Sequence, residues 1–190
     1  KSIAHFFVVQ NITEESKEVI YAYGMELLIS DVLNTIIVLL IALFSHTLPA
    51  VVVFIAVFMG LRQFVGGFHA NSHLSCMFTL VMVMMVFSYG ICNVSGHITP
   101  IFSISFIMIA LPIILCIAPV PHPNKPMSEE KSVKLRKRSC ILAVTLSVVT
   151  IALLVFQYQK LSLYVSSGML LSAIMALLGH FLNRGDNSKR

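Results

Sequence analysis

Long apolar runs limit what this chain can fold into more than any other feature of its sequence. An α-helix needs about 20 apolar residues to cross the hydrocarbon core of a bilayer, and only helices or closed barrels satisfy their backbone hydrogen bonds there. Of the residues, 57% are hydrophobic and only 11% are charged, which is far from the composition of soluble proteins. The sequence therefore predicts one all-α, polytopic integral membrane domain over residues 1–190. We expect about six transmembrane helices, within residues 31–48, 49–64, 74–92, 101–120, 140–156 and 161–182.

The segment before the first span, residues 12–30, combines acidic and apolar residues at helical spacing and begins with a capping pattern at Thr13. It predicts an interfacial amphipathic helix. Residues 1–20 lack a basic stretch followed by an apolar one, so we expect no cleavable signal peptide. Asp31 opens the first span, where an acidic side chain is costly unless it has a role. It either caps the helix at the interface or contributes to catalysis or substrate binding.

A short polar segment, residues 62–76, separates the second and third spans. Its chemically notable residues are Arg62, Gly66, Gly67, His69, His73 and Cys76. A thiol attacks a carbonyl group as the thiolate, so it needs a base or a positive environment to lower its pKa. This combination of residues is therefore typical of cysteine acyl-transfer chemistry.

Either histidine in this segment could serve as the base. On one continuous helix His69 would lie about 10.5 Å from Cys76 along the axis, which is too far for a hydrogen bond, whereas His73 would share a face with Cys76. A backbone turn at the two glycines, followed by a helix capped at residue 71 or 72, would instead fold His69 back over the helix N-terminus. The helix dipole would favour the thiolate there. Spacing alone leaves both histidines open.

Two other function classes need to be considered. His69, His73 and Cys76 would also suit a zinc ion, but residues 62–76 contain no Asp or Glu to act as the general base of a metal-dependent hydrolase. A transporter or a sensor partner without enzymatic activity would need polar residues deep in several spans, and these are sparse in the sequence. The residues alone leave cysteine catalysis open beside these alternatives, and for a cysteine enzyme we expect no metal and no cofactor.

The distribution of basic residues predicts the orientation in the membrane. The loops at 46–48 and 93–100 contain no Lys or Arg, and the turn near 157–160 has only Lys160. The positive-inside rule therefore places both termini, residues 62–76 and the loop at 121–139 on the cytoplasmic side, where thiols stay reduced. The net charge of +5 follows this topology, and we expect no nucleic-acid partner. The basic residues are Lys125, Lys131, Lys134, Arg136, Lys137 and Arg138 before the fifth span, and Arg184, Lys189 and Arg190 after the sixth.

The loop at 121–139 begins within a proline-rich stretch, since residues 119–126 contain four prolines, which predicts an extended conformation. The basic run after it would either anchor the loop on anionic lipid or hold an acidic peptide tail near Cys76. In the latter case Lys134, Arg136, Lys137 and Arg138 would bind substrate.

Small residues recur every fourth position in the sixth span, at Gly168, Ser172 and Ala176. Such a stripe allows close helix contact, either within the chain or in a homodimer. The cysteines at 92, 116 and 140 lie within or beside apolar runs, where we expect small buried hydrophobic side chains.

Arg62, Gly67, His69 and Cys76 between membrane spans, with the proline-rich segment and basic run that follow, resemble the pattern of the accessory gene regulator B (AgrB) family. These are membrane cysteine endopeptidases of Gram-positive quorum sensing. The resemblance implies that His69 and Cys76 form the catalytic pair and that Arg62 and Gly67 support it. It also implies an AgrD-like precursor peptide as substrate, a thiolactone or lactone autoinducing peptide as product, a location in the bacterial cell membrane and a homodimer.

Overall fold

The computed structural model describes residues 18–66, 82–83, 86, 90–91, 93–94, 97–120 and 129–187. Within these ranges the chain forms five α-helices: α1 (Glu18–Phe44), α2 (Leu48–Val65), α3 (Thr99–Ile117), α4 (Glu129–Val155) and α5 (Gln159–Asn187). A proline lies in the first turn of both α2 and α3, where its missing N–H costs no helical hydrogen bond.

Four stretches of these helices are long and apolar enough to cross a membrane. The prediction of an all-α polytopic membrane protein is therefore confirmed. A shorter apolar stretch, Val32–Phe44, lies at the position of the first predicted span. Most of the third predicted span, residues 74–92, lies outside the described residues, so the predicted total of six stays a prediction. The four long stretches are Leu48–Val65, Thr99–Ile117, Ser132–Val155 and Gln159–Phe181.

Helix α1 joins two segments that the sequence predicted separately. It begins at Glu18, inside the predicted interfacial segment, and continues through residue 31 to Phe44 without a break. No proline interrupts this range, so nothing in the backbone forces the helix to end at residue 30. Residues 12–17 lie outside the described residues, and the interfacial position of this segment stays a prediction.

The basic run is helical where the sequence predicted a loop over residues 121–139. Helix α4 begins at Glu129, three residues after the last proline, and carries the basic residues into the fifth predicted span as one helix. Glu129 and Glu130 lie in its first turn, where acidic side chains complement the helix dipole. Lys134 forms an ion pair with Glu130 one turn earlier. Residues 121–128 lie outside the described residues.

Helix α5 is the central helix of the bundle and packs against α2, α3 and α4. Of its membrane-spanning stretch 67% is buried inside the protein, against 22–33% for the other three. A Cβ atom on Gly168 would lie 3.0 Å from the carbonyl oxygen of Phe54 and 3.0 Å from the Val57 side chain. Ser172 and Ala176 are also buried. The stripe of small residues therefore serves packing of α5 against α2 inside this chain, and it is not available as a dimer surface.

The bundle interior contains more hydroxyl groups than the sequence suggested. The Oγ atoms of Ser103 and Ser162 lie 3.1 Å apart and join α3 to α5. Most of the other buried hydroxyls donate to a carbonyl three or four residues earlier on their own helix, as Ser147 and Thr150 do. The buried polar residues in the described part of the chain are Asn, Ser and Thr, and none is charged.

The surface of the spans carries large apolar side chains, such as Ile101, Met108 and Val148, as expected for helices that face lipid. Cys116 belongs to this surface because it is exposed, so the prediction that it is buried in the protein was wrong. Cys140 is half-buried. Both are free thiols. Because lipid is as apolar as a protein core, a cysteine on this surface still has an apolar environment.

The close approach at Gly168 can be tested by substitution. We expect Gly168→Val to lower the free energy of unfolding by about 1–3 kcal/mol, the usual cost of overpacking a filled interior. Gly60→Val is the matched control, because a Cβ on Gly60 has no neighbour within 4 Å. Thermal unfolding in detergent micelles would measure both variants. Equal losses of stability at the two positions would contradict the assigned packing.

Candidate functional site

One end of the bundle brings together the end of α2, the residues after α3 and the first turns of α4. We call this the basic end and define it as residues 62–66, 118–120 and 134–138. A single hydrophobic cluster holds the three segments together. Helix α4 enters this cluster at Ala143, five residues after Arg138, so the basic run lies about 7.5 Å further toward this end of the bundle. The cluster residues in or next to these segments are Leu61, Val65, Ala118 and Val120, with Ala143 further along α4.

A backbone contact joins two of these segments. The N–H of Val120 donates to the carbonyl oxygen of Val65 at 2.9 Å, and Gly66 and Val120 form a parallel β-bridge. Gly66 has φ +73°, a conformation that glycine adopts without strain. A Cβ at this position would lie only 2.6 Å from the carbonyl oxygen of Val120. Gly66 therefore ends α2 and turns the chain into residues 67–76.

Arg62 lies in the last turn of α2 and is half-buried. Its guanidinium carbon lies 5.5 Å from the centre of the Phe58 ring, one turn earlier on the same helix. The side chain thus runs back along α2, as helical side chains do, and does not extend past the helix end toward lipid phosphates. A cation over an aromatic ring contributes roughly 0.5–2 kcal/mol, depending on how far it is desolvated. This contact fixes the position of the positive charge.

The four basic residues of α4 that the sequence singled out are all exposed. Lys134, Lys137 and Arg138 share one face, since they lie three and four residues apart. Arg136 points elsewhere, about 200° around the helix from Lys134. Because Lys134 is paired with Glu130, Lys137 and Arg138 are the cations of this face best placed to bind an external anion.

The remaining predicted site residues fall where the structure gives no geometry. Gly67, His69, His73 and Cys76 lie outside the described residues. Asp31 lies within α1, but its side chain is not among those described. The structure therefore brings Arg62 and the α4 cations to one end of the bundle, and it does not test the catalytic pair.

Beyond the turn at Gly66, no role was predicted from the sequence for three residues: Gly66 and Val120 at this site, and Asn34 elsewhere in the bundle. Gly66 was grouped with its neighbour as a turn, and Val120 had no signal beyond its position between two prolines. Asn34 lies in the bundle with 2% of its surface exposed, and its Nδ2 atom has no hydrogen-bond partner within the described chain. The sequence feature that could have identified Asn34 is an asparagine inside an apolar run.

Comparison with known proteins identifies the family of this chain. The family model described as "Accessory gene regulator B" matches residues 1–176. An AgrB-like protein of Clostridium beijerinckii is 24% identical over 138 residues, which cover 70% of this chain and 67% of that protein. No solved structure matches the chain. Since the family model covers nearly all of its length, including the basic end and residues 67–76, this chain belongs to the accessory gene regulator B family.

Proposed function

We propose that this protein is a membrane cysteine endopeptidase that removes the C-terminal tail of an AgrD-like precursor and promotes its cyclisation to an autoinducing peptide. The observation that carries the proposal is the family match over residues 1–176, which includes His69 and Cys76. Membership of this family implies a role in accessory gene regulator quorum sensing. The cysteine mechanism is a more specific claim than family membership, and it is part of our proposal.

His69 takes the proton of the Cys76 thiol, and the thiolate attacks the carbonyl carbon of the peptide bond before the tail. The tetrahedral intermediate collapses, the imidazolium protonates the departing amine, and the tail leaves. The rest of the precursor is now a thioester on Cys76. A cysteine thiol within the precursor then attacks this thioester, closes a thiolactone ring and regenerates Cys76, while a serine hydroxyl would give a lactone.

The second step exchanges one thioester for another and is close to neutral in energy. Its outcome therefore depends on holding the internal nucleophile near the acyl group and on excluding water, which would hydrolyse the intermediate. A site at the boundary between membrane and cytoplasm suits both requirements. In this proposal Asp31 contacts the substrate, and Gly67 supports the catalytic pair through its backbone conformation.

The described residues of the basic end take supporting roles in this proposal. Arg62, held over Phe58, would supply a positive charge either to a substrate carboxylate or to the developing oxyanion. The exposed face of Lys134, Lys137 and Arg138 attracts the acidic tail of the precursor. The leader of the precursor lies on the lipid surface beside the enzyme.

The proposed orientation places the basic end and both termini in the cytoplasm of the bacterial cell. Its support is the contrast between the two ends of the bundle. At the opposite end, the turn at 45–47 contains no Lys or Arg and the turn near 157–160 has only Lys160. Tyr158 is exposed in this second turn, as expected at a membrane–water interface, where Tyr is enriched. The homodimer stays part of the proposal, through a surface other than the buried stripe on α5.

The nucleophile can be tested directly. We expect Cys76→Ala to reduce processing of a precursor by more than about a thousandfold, because no other group would form the thioester. Intact mass measurement should show an adduct of precursor minus tail on the wild type and on Cys116→Ala, a control that removes an exposed free thiol. His69→Ala should lack the adduct, and His73→Ala should keep it.

Three outcomes would contradict this proposal. Normal processing by Cys76→Ala would exclude the cysteine mechanism. Reversible loss of activity with EDTA would favour the zinc-dependent alternative. Absence of both adduct and released tail in every variant would favour a transporter or a sensor partner.

The α4 cations can be tested by position on the helix. We expect the double variant Lys137→Gln and Arg138→Gln to raise KM for an acidic-tailed precursor roughly fivefold, since exposed ion pairs contribute about 0.2–1 kcal/mol each. Arg136→Gln, on a different side of the helix, is the matched control and should change KM less. A neutral-tailed precursor should respond to neither. Equal effects on both precursors would limit these cations to membrane topology.

A further inference from the structure

We propose that Val120 is a positioning residue for the active site, and that it acts through its main-chain N–H. This inference rests on the proposed function, because it concerns how residues 67–76 are aimed. The hydrogen bond from Val120 to the Val65 carbonyl oxygen, 2.9 Å long, fixes the direction in which the chain leaves α2.

The last described residue before this segment is held by contacts on both sides. The N–H of Gly66 donates to the carbonyl oxygen of Arg62 at 3.0 Å, which closes the last turn of α2. The bridge to Val120 then holds the backbone in its left-handed turn. His69 follows only three residues later, within about 11 Å of extended chain. In the proposed active site, a change of chain direction at Gly66 would therefore displace His69.

The prolines beside Val120 determine which hydrogen bond can form. Neither Pro119 nor Pro121 has an N–H, so Val120 provides the single main-chain donor of residues 119–121. A shift of the pairing by one residue would leave the bridge without a donor from this segment. The sequence around Val120 thus permits one pairing register with Val65 and disfavours registers that are shifted by one residue.

Burial supports the same conclusion. Val120 is 4% exposed and Val65 is fully buried, and both belong to the cluster that also contains Ile114, Ala173 and Ala176. A hydrogen bond in such low-dielectric surroundings is stronger than one in water. The Val120 side chain anchors the segment in the bundle, and its N–H holds the chain that enters residues 67–76.

A misplacement of about 1 Å can cost a catalytic arrangement about a hundredfold in rate. The inference therefore predicts that loss of the Val120 N–H impairs the chemical step and not substrate binding. It also predicts that the Cys76 thiol loses its imidazole partner and reacts like a free cysteine. Loss of the Val120 side chain alone should lower stability without these changes.

The test compares Val120→Pro, which removes the N–H, with Val120→Ala, which keeps it and truncates the buried side chain. Both are made in a background of Cys92→Ala, Cys116→Ala and Cys140→Ala, so that alkylation reports Cys76 alone. For Val120→Pro we expect kcat to fall at least about tenfold with KM nearly unchanged. The pH of half-maximal alkylation should rise toward about 8.5, the value of a free thiol. Val120→Ala should unfold at a lower temperature and keep the pH profile and kcat of the background protein.

Two further measurements keep the proposal falsifiable if Val120→Pro does not fold. Gly66→Ala disturbs the bridge from the other side, since its Cβ would lie 2.6 Å from the Val120 carbonyl oxygen, and it should shift the alkylation profile in the same direction. In the wild type, hydrogen exchange followed by NMR of valine-labelled protein reports the Val120 amide directly. We expect slow exchange.

Rapid exchange of this amide in the wild type would overturn the inference. So would a folded Val120→Pro or Gly66→Ala with a normal pH profile, or losses of kcat in all variants that simply follow their stability. These results leave the proposed function intact as long as Cys76→Ala is inactive. Processing by Cys76→Ala would instead show that the proposed function itself is wrong.

Discussion

The close approach of α5 to α2 at Gly168 is the contact on which the rest of the bundle depends. Within a bilayer, apolar side chains gain nothing by leaving lipid for a neighbouring helix, so association relies on tight packing and hydrogen bonds. Gly168 provides the tight packing, because any side chain there would meet the Phe54 carbonyl oxygen and Val57. The hydroxyls of α5 do not oppose it, since they are satisfied largely by carbonyls of their own helix, as those of Ser166 and Ser167 are.

Small residues further along α5 determine the shape of the basic end. Ala173 and Ala176 on α5 are fully buried in the cluster that contains Val65, Val120 and Ala143. Because their side chains are short, the ends of α2 and α3 and the first half of α4 can all reach α5 at this level. The bridge between Gly66 and Val120 is a consequence of that convergence. A hydrogen bond between residues so far apart in the sequence forms only where packing has already brought the two segments together.

The lengths of the apolar runs predicted much of this fold, because the thickness of the bilayer determines both the length of an apolar run and the length of the helix that it forms. The runs at 49–64, 101–120 and 161–182 correspond to the spans Leu48–Val65, Thr99–Ile117 and Gln159–Phe181 within a few residues. The start of α4 was not predicted, since a charged helical turn outside the bilayer has no hydropathy signal. The stripe at Gly168 indicated a close contact but not its partner. Spacing left His69 and His73 open, and the resemblance to the AgrB family is what favours His69. The bridge at Val120 had no signal because tertiary packing creates it.

Helix α4 gives the proposed binding of the precursor tail a fixed geometry. Lys137 and Arg138 lie on the same helix that enters the core at Ala143. Their backbone positions relative to Val65 and Gly66 are therefore held more firmly than those of cations on a loop. In the proposed mechanism, binding of the tail and cleavage before it would be coupled through the cluster that joins α2, α4 and α5.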